Sequence, residues 1–225
     1  VALVQSSIVW EDVAANLTAE WQRVVVQHYN YPSIMAWVPI NESWGIDQLT
    51  RSSTDPRLAY FINTLYYLTK SLDPTRLVVG NDGWQHALTD LLTIHEYTQS
   101  AYDLRERYLK FQTDRYTQAF SHGNAILLPN YQYSGCPIMI TEFGGIKVTE
   151  HSTDGWGYGE SAADTKEMLE RMEKLVTTIT ELEEVCGYCY TQLTDVEQEK
   201  NGLLTYDRRL KADIEDYYKI FSLQR

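Results

Sequence analysis

Five short apolar runs alternate along the chain with stretches of helical periodicity, and that alternation restricts the fold to the parallel α/β class. The runs cover residues 34–40, 77–80, 91–95, 137–140 and 185–191. Those ahead of Glu42 and Glu142 lack an alternating polar face, so they read as strands buried on both sides. Between the runs, helical spacing links Val13, Leu17, Trp21, Val24 and His28, and then Leu58, Phe61, Ile62, Leu65 and Leu72 behind an Asp55-Pro56 cap. A third stripe joins Met168, Met172, Leu175, Ile179 and Leu182, with Ser161 and Asp164 read as its capping box. A helix-like piece at 104–111 sits in a long insertion over 96–136, and a short helix over 213–221 closes the sequence.

The expected fold is therefore α/β, a (β/α)8 TIM barrel lacking its first two or three β/α units. Residues 1–225 form one partial domain holding strands 4 to 8, with Ser7 to Trp10 as a remnant of the third strand. A complete barrel takes about 250 residues. A half-closed one leaves an unpaired edge and an open apolar interior, so missing N-terminal domains or a homo-oligomer is expected.

Composition excludes several function classes. The formal charge of −12 repels polyanions, and no basic cluster offsets it, so nucleic acid is not an expected partner. No stretch approaches the ~20 apolar residues of a membrane span, and no membrane partner is expected. Asn16-Leu17-Thr18 fits a glycosylation sequon, but it leaves the compartment, cytoplasmic or secreted, undecided. Three cysteines give no disulfide framework. Cys186 and Cys189 lie three apart on a strand and point to opposite faces, which favours buried packing over a shared metal or redox bond. The five histidines show no zinc spacing, so neither metal nor cofactor is expected. Seventeen tyrosines and six tryptophans make the chain aromatic-rich. Trp44, Trp84, Trp156 and Tyr158 fall in loops, where flat rings can stack on the C–H faces of sugars.

A carboxylate at the C-terminal tip of a barrel strand sits where that architecture carries its chemistry. Glu42 and Glu142 both occupy such tips, and a facing pair of carboxylates is the machinery of glycoside hydrolysis. Trp37-Val38-Pro39-Ile40-Asn41-Glu42-Ser43-Trp44-Gly45 and Ile140-Thr141-Glu142-Phe143-Gly144-Gly145 resemble the acid/base and nucleophile motifs of family 2 glycoside hydrolases. The resemblance runs from about Val13 to Lys211 and covers the second half of that family's catalytic barrel. It implies Glu42 as general acid/base, Glu142 as nucleophile and Asn41 as the contact to the sugar 2-hydroxyl. Asp90 to Tyr97 resembles the family's sixth strand, which implies that Tyr97 hydrogen-bonds the nucleophile and that His95 is a sugar contact.

The resemblance implies a retaining exo-β-glycosidase, with carboxyl groups about 5–5.5 Å apart. The β-glucuronidases carry an Asn-x-Lys motif for the sugar carboxylate; here Glu199 and Asn201 stand in those positions. A buried carboxylate without its counter-charge is costly, so a β-galactosidase-like activity is expected. Many members have a Trp where Thr191 stands, which leaves the aromatic floor to Tyr190, Trp84 or Trp156. The competing class is a truncated or inactive carbohydrate-binding barrel module.

Overall fold

The computed structural model describes residues 9–46, 55–117, 119–151 and 154–222. They pack as two compact units, the described residues within Val1–Ile94 and Tyr116–Pro137, and those within His95–Arg115 and Ile138–Arg225.

The first unit opens with helix α1 (Trp10–His28) and continues through strand β1 (Ala36–Trp37) to helix α2 (Pro56–Leu72). Asp55 caps α2 by accepting from the Arg57 backbone N–H at 2.9 Å, with Pro56 in the first turn. That satisfies one of the donors a helix start leaves unpaired. The apolar sides of the two helices meet: Leu58, Phe61, Ile62 and Leu65 of α2 form a core with Ile40, and Trp10, Val13, Leu17 and Trp21 of α1 pack against it. Strand β2 (Leu77–Val78) pairs in parallel with β1, Trp37 beside Val78.

Between α2 and β2 lies a buried carboxylate. Asp73 is fully buried and accepts from Trp37 Nε1 at 2.9 Å, Thr75 Oγ1 at 2.6 Å and Arg76 Nη1 at 2.7 Å. Burial alone would push its carboxyl up. The hydrogen bonds from Thr75, Trp37 and Arg76 outweigh burial and hold it well below the usual carboxylate range. The chain then enters β3 (Leu92–Glu96), which is buried along its whole length.

Helix α3 (Ala101–Asp114) belongs to the second unit, and the first unit resumes with a hairpin of β4 (Phe120–Ser121) and β5 (Asn124–Ala125). His122 and Gly123 form its turn with φ of +49° and +78°, the left-handed pair that tight hairpins use. The second unit continues with β6 (Ile138–Gly144), α4 (Thr165–Thr180), β7 (Val185–Thr191) and α5 (Ile214–Phe221). The sheet order is β3, β6, β7, and β6 and β7 run parallel, with Ile138 opposite Val185 and Phe143 opposite Tyr190. Met168, Met172, Leu175, Val176 and Ile179 are the buried stripe of α4. No helix among the described residues is long and apolar enough to cross a membrane.

Four local expectations are corrected. The run at 34–40 is not buried along its length: Trp37 is 4% exposed, whereas Met35 is 63% and Val38 39%, and only Ala36–Trp37 form a strand. The α4 cap is Asp164, accepting from Glu167 N–H at 2.8 Å, and Glu167 reaches back to Ala163 N–H at 2.7 Å; Ser161 lies too early to take part. Cys186 and Cys189 are exposed, not packed in a core, because β7 is the outer strand of its sheet and is left partly uncovered beyond Val185. Of the strand remnant placed at 7–10, Ser7 and Ile8 lie outside the described residues, and Trp10 already belongs to α1.

Candidate active site

Two groups of the expected site residues form, one in each unit. In the first, the polypeptide leaving β1 keeps parallel contact with the stretch after β2. Asn41 bridges to Asp82, Asp82 N–H donates to Ile40 O at 2.9 Å, and Glu42 N–H donates to Asp82 O at 3.0 Å. The ladder ends there because Glu42 and Ser43 both adopt left-handed backbone, with φ of +56° and +60°. For side chains with a Cβ that conformation costs about 1–3 kcal/mol per residue and persists only where the surroundings enforce it. Trp84 Nε1 donates to Glu42 O at 3.0 Å, and Asn81 Nδ2 donates to Ser43 Oγ at 2.5 Å and to Trp84 O at 2.7 Å. Trp44 Nε1 also donates to Glu42 Oε2. The Glu42 carboxylate is thus aimed from both ends, by its backbone and by an indole. Trp84 is 3% exposed; its place is to brace the Glu42 turn, and its ring is not an open platform. Asn41 is exposed at the strand tip.

In the second unit, Glu142 lies near the end of β6 and His95 and Tyr97 at the end of β3. Tyr97 Oη donates to Glu142 Oε2 at 2.5 Å, and His95 Nδ1 lies 3.3 Å from the same oxygen. Burial, then the charge of Glu142, then this hydrogen bond push the Tyr97 phenol far above its ordinary range. Tyr97 therefore remains a donor at any physiological pH.

Beneath that pair Tyr158 stacks on the Tyr97 ring, centroids 3.4 Å apart and planes within 7°. Gly145 makes the stack possible: with φ of +62°, a Cβ there would lie 2.4 Å from Tyr158 and 3.0 Å from Tyr97. Gly144, at φ +86°, likewise leaves room for the Tyr190 ring, 2.2 Å from where its Cβ would be. Gln99 Nε2 ties the turn to β6 by donating to Gly144 O at 2.6 Å. Trp156 is 47% exposed and meets Tyr158 edge-on, 5.5 Å between centroids.

Sequence reasoning missed Ser43, Asn81, Asp82 and Gln99, and took Tyr158 only as a loop aromatic. Asn81-Asp82-Gly83 directly after an apolar run is a turn signal that marks the brace. The stack of Tyr158 on Tyr97 joins residues 61 positions apart and leaves no local pattern.

Comparison with known proteins gives a consistent picture. The family model for glycosyl hydrolases family 2, TIM barrel domain, matches residues 10–153. Among solved structures, the chain is similar to a GH2 β-galacturonidase from Eisenbergiella tayi, at 18% identity and TM-score 0.65, over 94% of this chain and 38% of that one. It is similar to an FMN-binding β-glucuronidase from Faecalibacterium prausnitzii L2-6, at 19% identity and TM-score 0.66, over 94% and 32%. A β-glucuronidase from an uncultured Clostridium sp. aligns at 13% identity and TM-score 0.67, over 95% and 36%. The chain thus spans about a third of the length of these structures, and the likeness establishes a TIM-barrel-type fold. No curated protein matches it.

Proposed function

The chain belongs to glycosyl hydrolases family 2, as part of its TIM barrel domain, and from that membership we propose that it supplies strands 4 to 8 of the barrel of a retaining exo-β-glycosidase. The observation that carries this reading is the cradle of Glu142: a carboxylate held at one oxygen by a phenol that stays protonated. A carboxylate so oriented is a nucleophile with little left to organise.

In this mechanism Glu142 attacks the anomeric carbon of a terminal β-linked sugar while Glu42 protonates the departing oxygen. The bond to the leaving group breaks as the bond to Glu142 forms. Glu42, now a carboxylate, takes a proton from water, and that water displaces Glu142 with a second inversion, so configuration is retained. Asn41 and His95 are proposed to hold sugar hydroxyls, and Trp156 to flank the sugar ring.

The sugar is proposed to be neutral and β-galactoside-like. Asn201 is fully buried and already engaged, donating to Glu199 Oε1 at 3.0 Å and accepting from Gln192 Nε2 at 2.8 Å. It offers no cation to a sugar carboxylate. The names of the similar structures favour a second reading, a uronide substrate, and a panel of nitrophenyl β-glycosides separates the two. Fastest turnover is expected on the β-galactoside; faster turnover of the β-glucuronide overturns the neutral-sugar assignment.

Glu142→Gln is expected to abolish turnover of every substrate. Glu42→Ala is expected to retain activity only on activated aryl glycosides and to be accelerated by azide, with a β-glycosyl azide as product. Full activity of either variant on natural glycosides, or sugar binding with no hydrolysis by the unmodified protein, sinks the enzymatic reading in favour of a carbohydrate-binding module.

A further inference from the structure

The hairpin over 120–125 carries neither glutamate motif, yet it is built onto the Glu42 turn. Gln85 N–H donates to Ala125 O and His86 N–H to Ile126 O, both at 2.8 Å, and Leu128 N–H returns to His86 O at 2.9 Å. These bonds fix the hairpin to the segment that carries Trp84. At its tip the exposed ring of His122 lies 6.0 Å from Trp84, tilted by 51°. Trp44, 63% exposed, meets Trp84 edge-on at 5.9 Å. Trp44, Trp84 and His122 thus form a chain of rings beside the Glu42 turn, ending in exposed members.

From this geometry we infer that Trp44 and His122 form a leaving-group subsite for aryl aglycones. The inference rests on the role proposed for Glu42. A general acid must contact the oxygen that departs, so a ring bonded to the Glu42 carboxylate, as Trp44 is, lies within reach of the leaving group. The chemistry of the wall then selects the group. The single N–H of Trp44 is spent on the Glu42 carboxylate and that of buried Trp84 on the Glu42 carbonyl, so the exposed Trp44 indole presents ring surface and no donor. A second pyranose would need partners for several hydroxyls, and of the two rings only the His122 imidazole carries polar atoms. An aromatic ring needs only faces and edges to stack on. Attraction of the aryl ring also adds orientation to the departing oxygen without touching the sugar.

The test compares an aryl β-glycoside with a fluoroalkyl β-glycoside whose alcohol has the same acidity, so leaving-group chemistry cancels. In the unmodified protein the aryl substrate is expected to have the higher kcat/KM. His122→Ala is expected to lower the aryl-to-fluoroalkyl ratio by about five- to tenfold, and His122→Phe, which keeps a ring, to restore it. A ratio that stays the same in His122→Ala overturns the inference while leaving the role of Glu42 intact. Should neither glycoside be hydrolysed, the role of Glu42 fails, and titration of indole fluorescence with free phenol and with cyclohexanol still decides the subsite. Tighter binding of phenol, weakened in His122→Ala, supports it; equal binding of the two alcohols overturns it.

Discussion

Tyr97 illustrates how one side chain acquires its task from its surroundings. A free phenol and a free carboxylate both prefer water, but here burial penalises the phenolate and the neighbouring Glu142 repels it. The proton therefore stays on Tyr97 and the hydrogen bond to Glu142 is charge-assisted. Such bonds contribute about 1.5–3 kcal/mol. Tyr97→Phe is accordingly expected to lower kcat by about ten- to a hundredfold with KM little changed. Stopped-flow or steady-state assays on a nitrophenyl glycoside check it, and a change confined to KM argues that Tyr97 binds sugar instead. Gly145→Ala attacks the same arrangement from below. Its Cβ would enter the space of Tyr158 and Tyr97 at a positive φ, so both folding stability and kcat should fall. Tyr158→Phe keeps the stacked ring and should preserve both.

At the scale of elements, the helices differ in how they begin. Asp164 accepts from the third backbone N–H of α4, whereas Asp213, at the same position before α5, makes no side-chain capping bond. Asp164→Ala should cost about 1 kcal/mol of unfolding free energy and Asp213→Ala only a few tenths, as read from urea denaturation. Equal losses at the two sites would show that charge near the helix start matters more than the capping bond. Elements with a repeating apolar stripe were legible in the sequence: α1, α2, α4, β3 and β7 all appear where periodicity puts them. The candidate-site motifs, Asn41-Glu42 and Thr141-Glu142, stand out in the sequence because they sit at apolar run ends. What escaped depends on contacts without a local pattern. The β4–β5 hairpin turns on His122-Gly123, a weaker signal than Asn-Gly, and its strands of two residues each carry no alternation. The exposed cysteines of β7 share their sequence pattern with a buried strand, because periodicity reports direction and not what covers each face.

The whole molecule should show a stability profile squeezed by carboxylates on the acid side and tyrosines on the alkaline side. Burial opposes ionisation of Asp73 and Asp90, but hydrogen bonds to Thr75, Trp37 and Arg76 in the first case, and to Lys70, Val78 and Tyr66 in the second, leave both below their unfolded values. The unfolded chain then binds more protons, so their contribution is complete above about pH 4 and disappears as pH falls through the folded values. Tyr66 and Tyr217 behave in the opposite sense. Burial raises both to about 12, and Tyr66 also faces the Asp90 carboxylate through a 2.8 Å hydrogen bond. Between pH about 10 and 12 the unfolded chain releases phenolic protons that the folded chain keeps, and stability falls with rising pH. Lys211 works against this limb, since burial lowers its amine below the unfolded value despite Asp195 at 2.7 Å, so it loses its proton first in the folded state. It raises stability as pH climbs from its lowered folded value to about 10.5, largely before the tyrosines titrate, and it is one amine against several tyrosines. Unfolding free energies measured in urea across pH 2 to 12 should therefore plateau at neutral pH and decline at both ends. Asp73→Asn should lower the plateau and flatten the acid decline, because it removes both the bonds and the titration. Tyr66→Phe should flatten the alkaline decline alone, and an unaltered alkaline slope in that variant would place the tyrosine titration elsewhere.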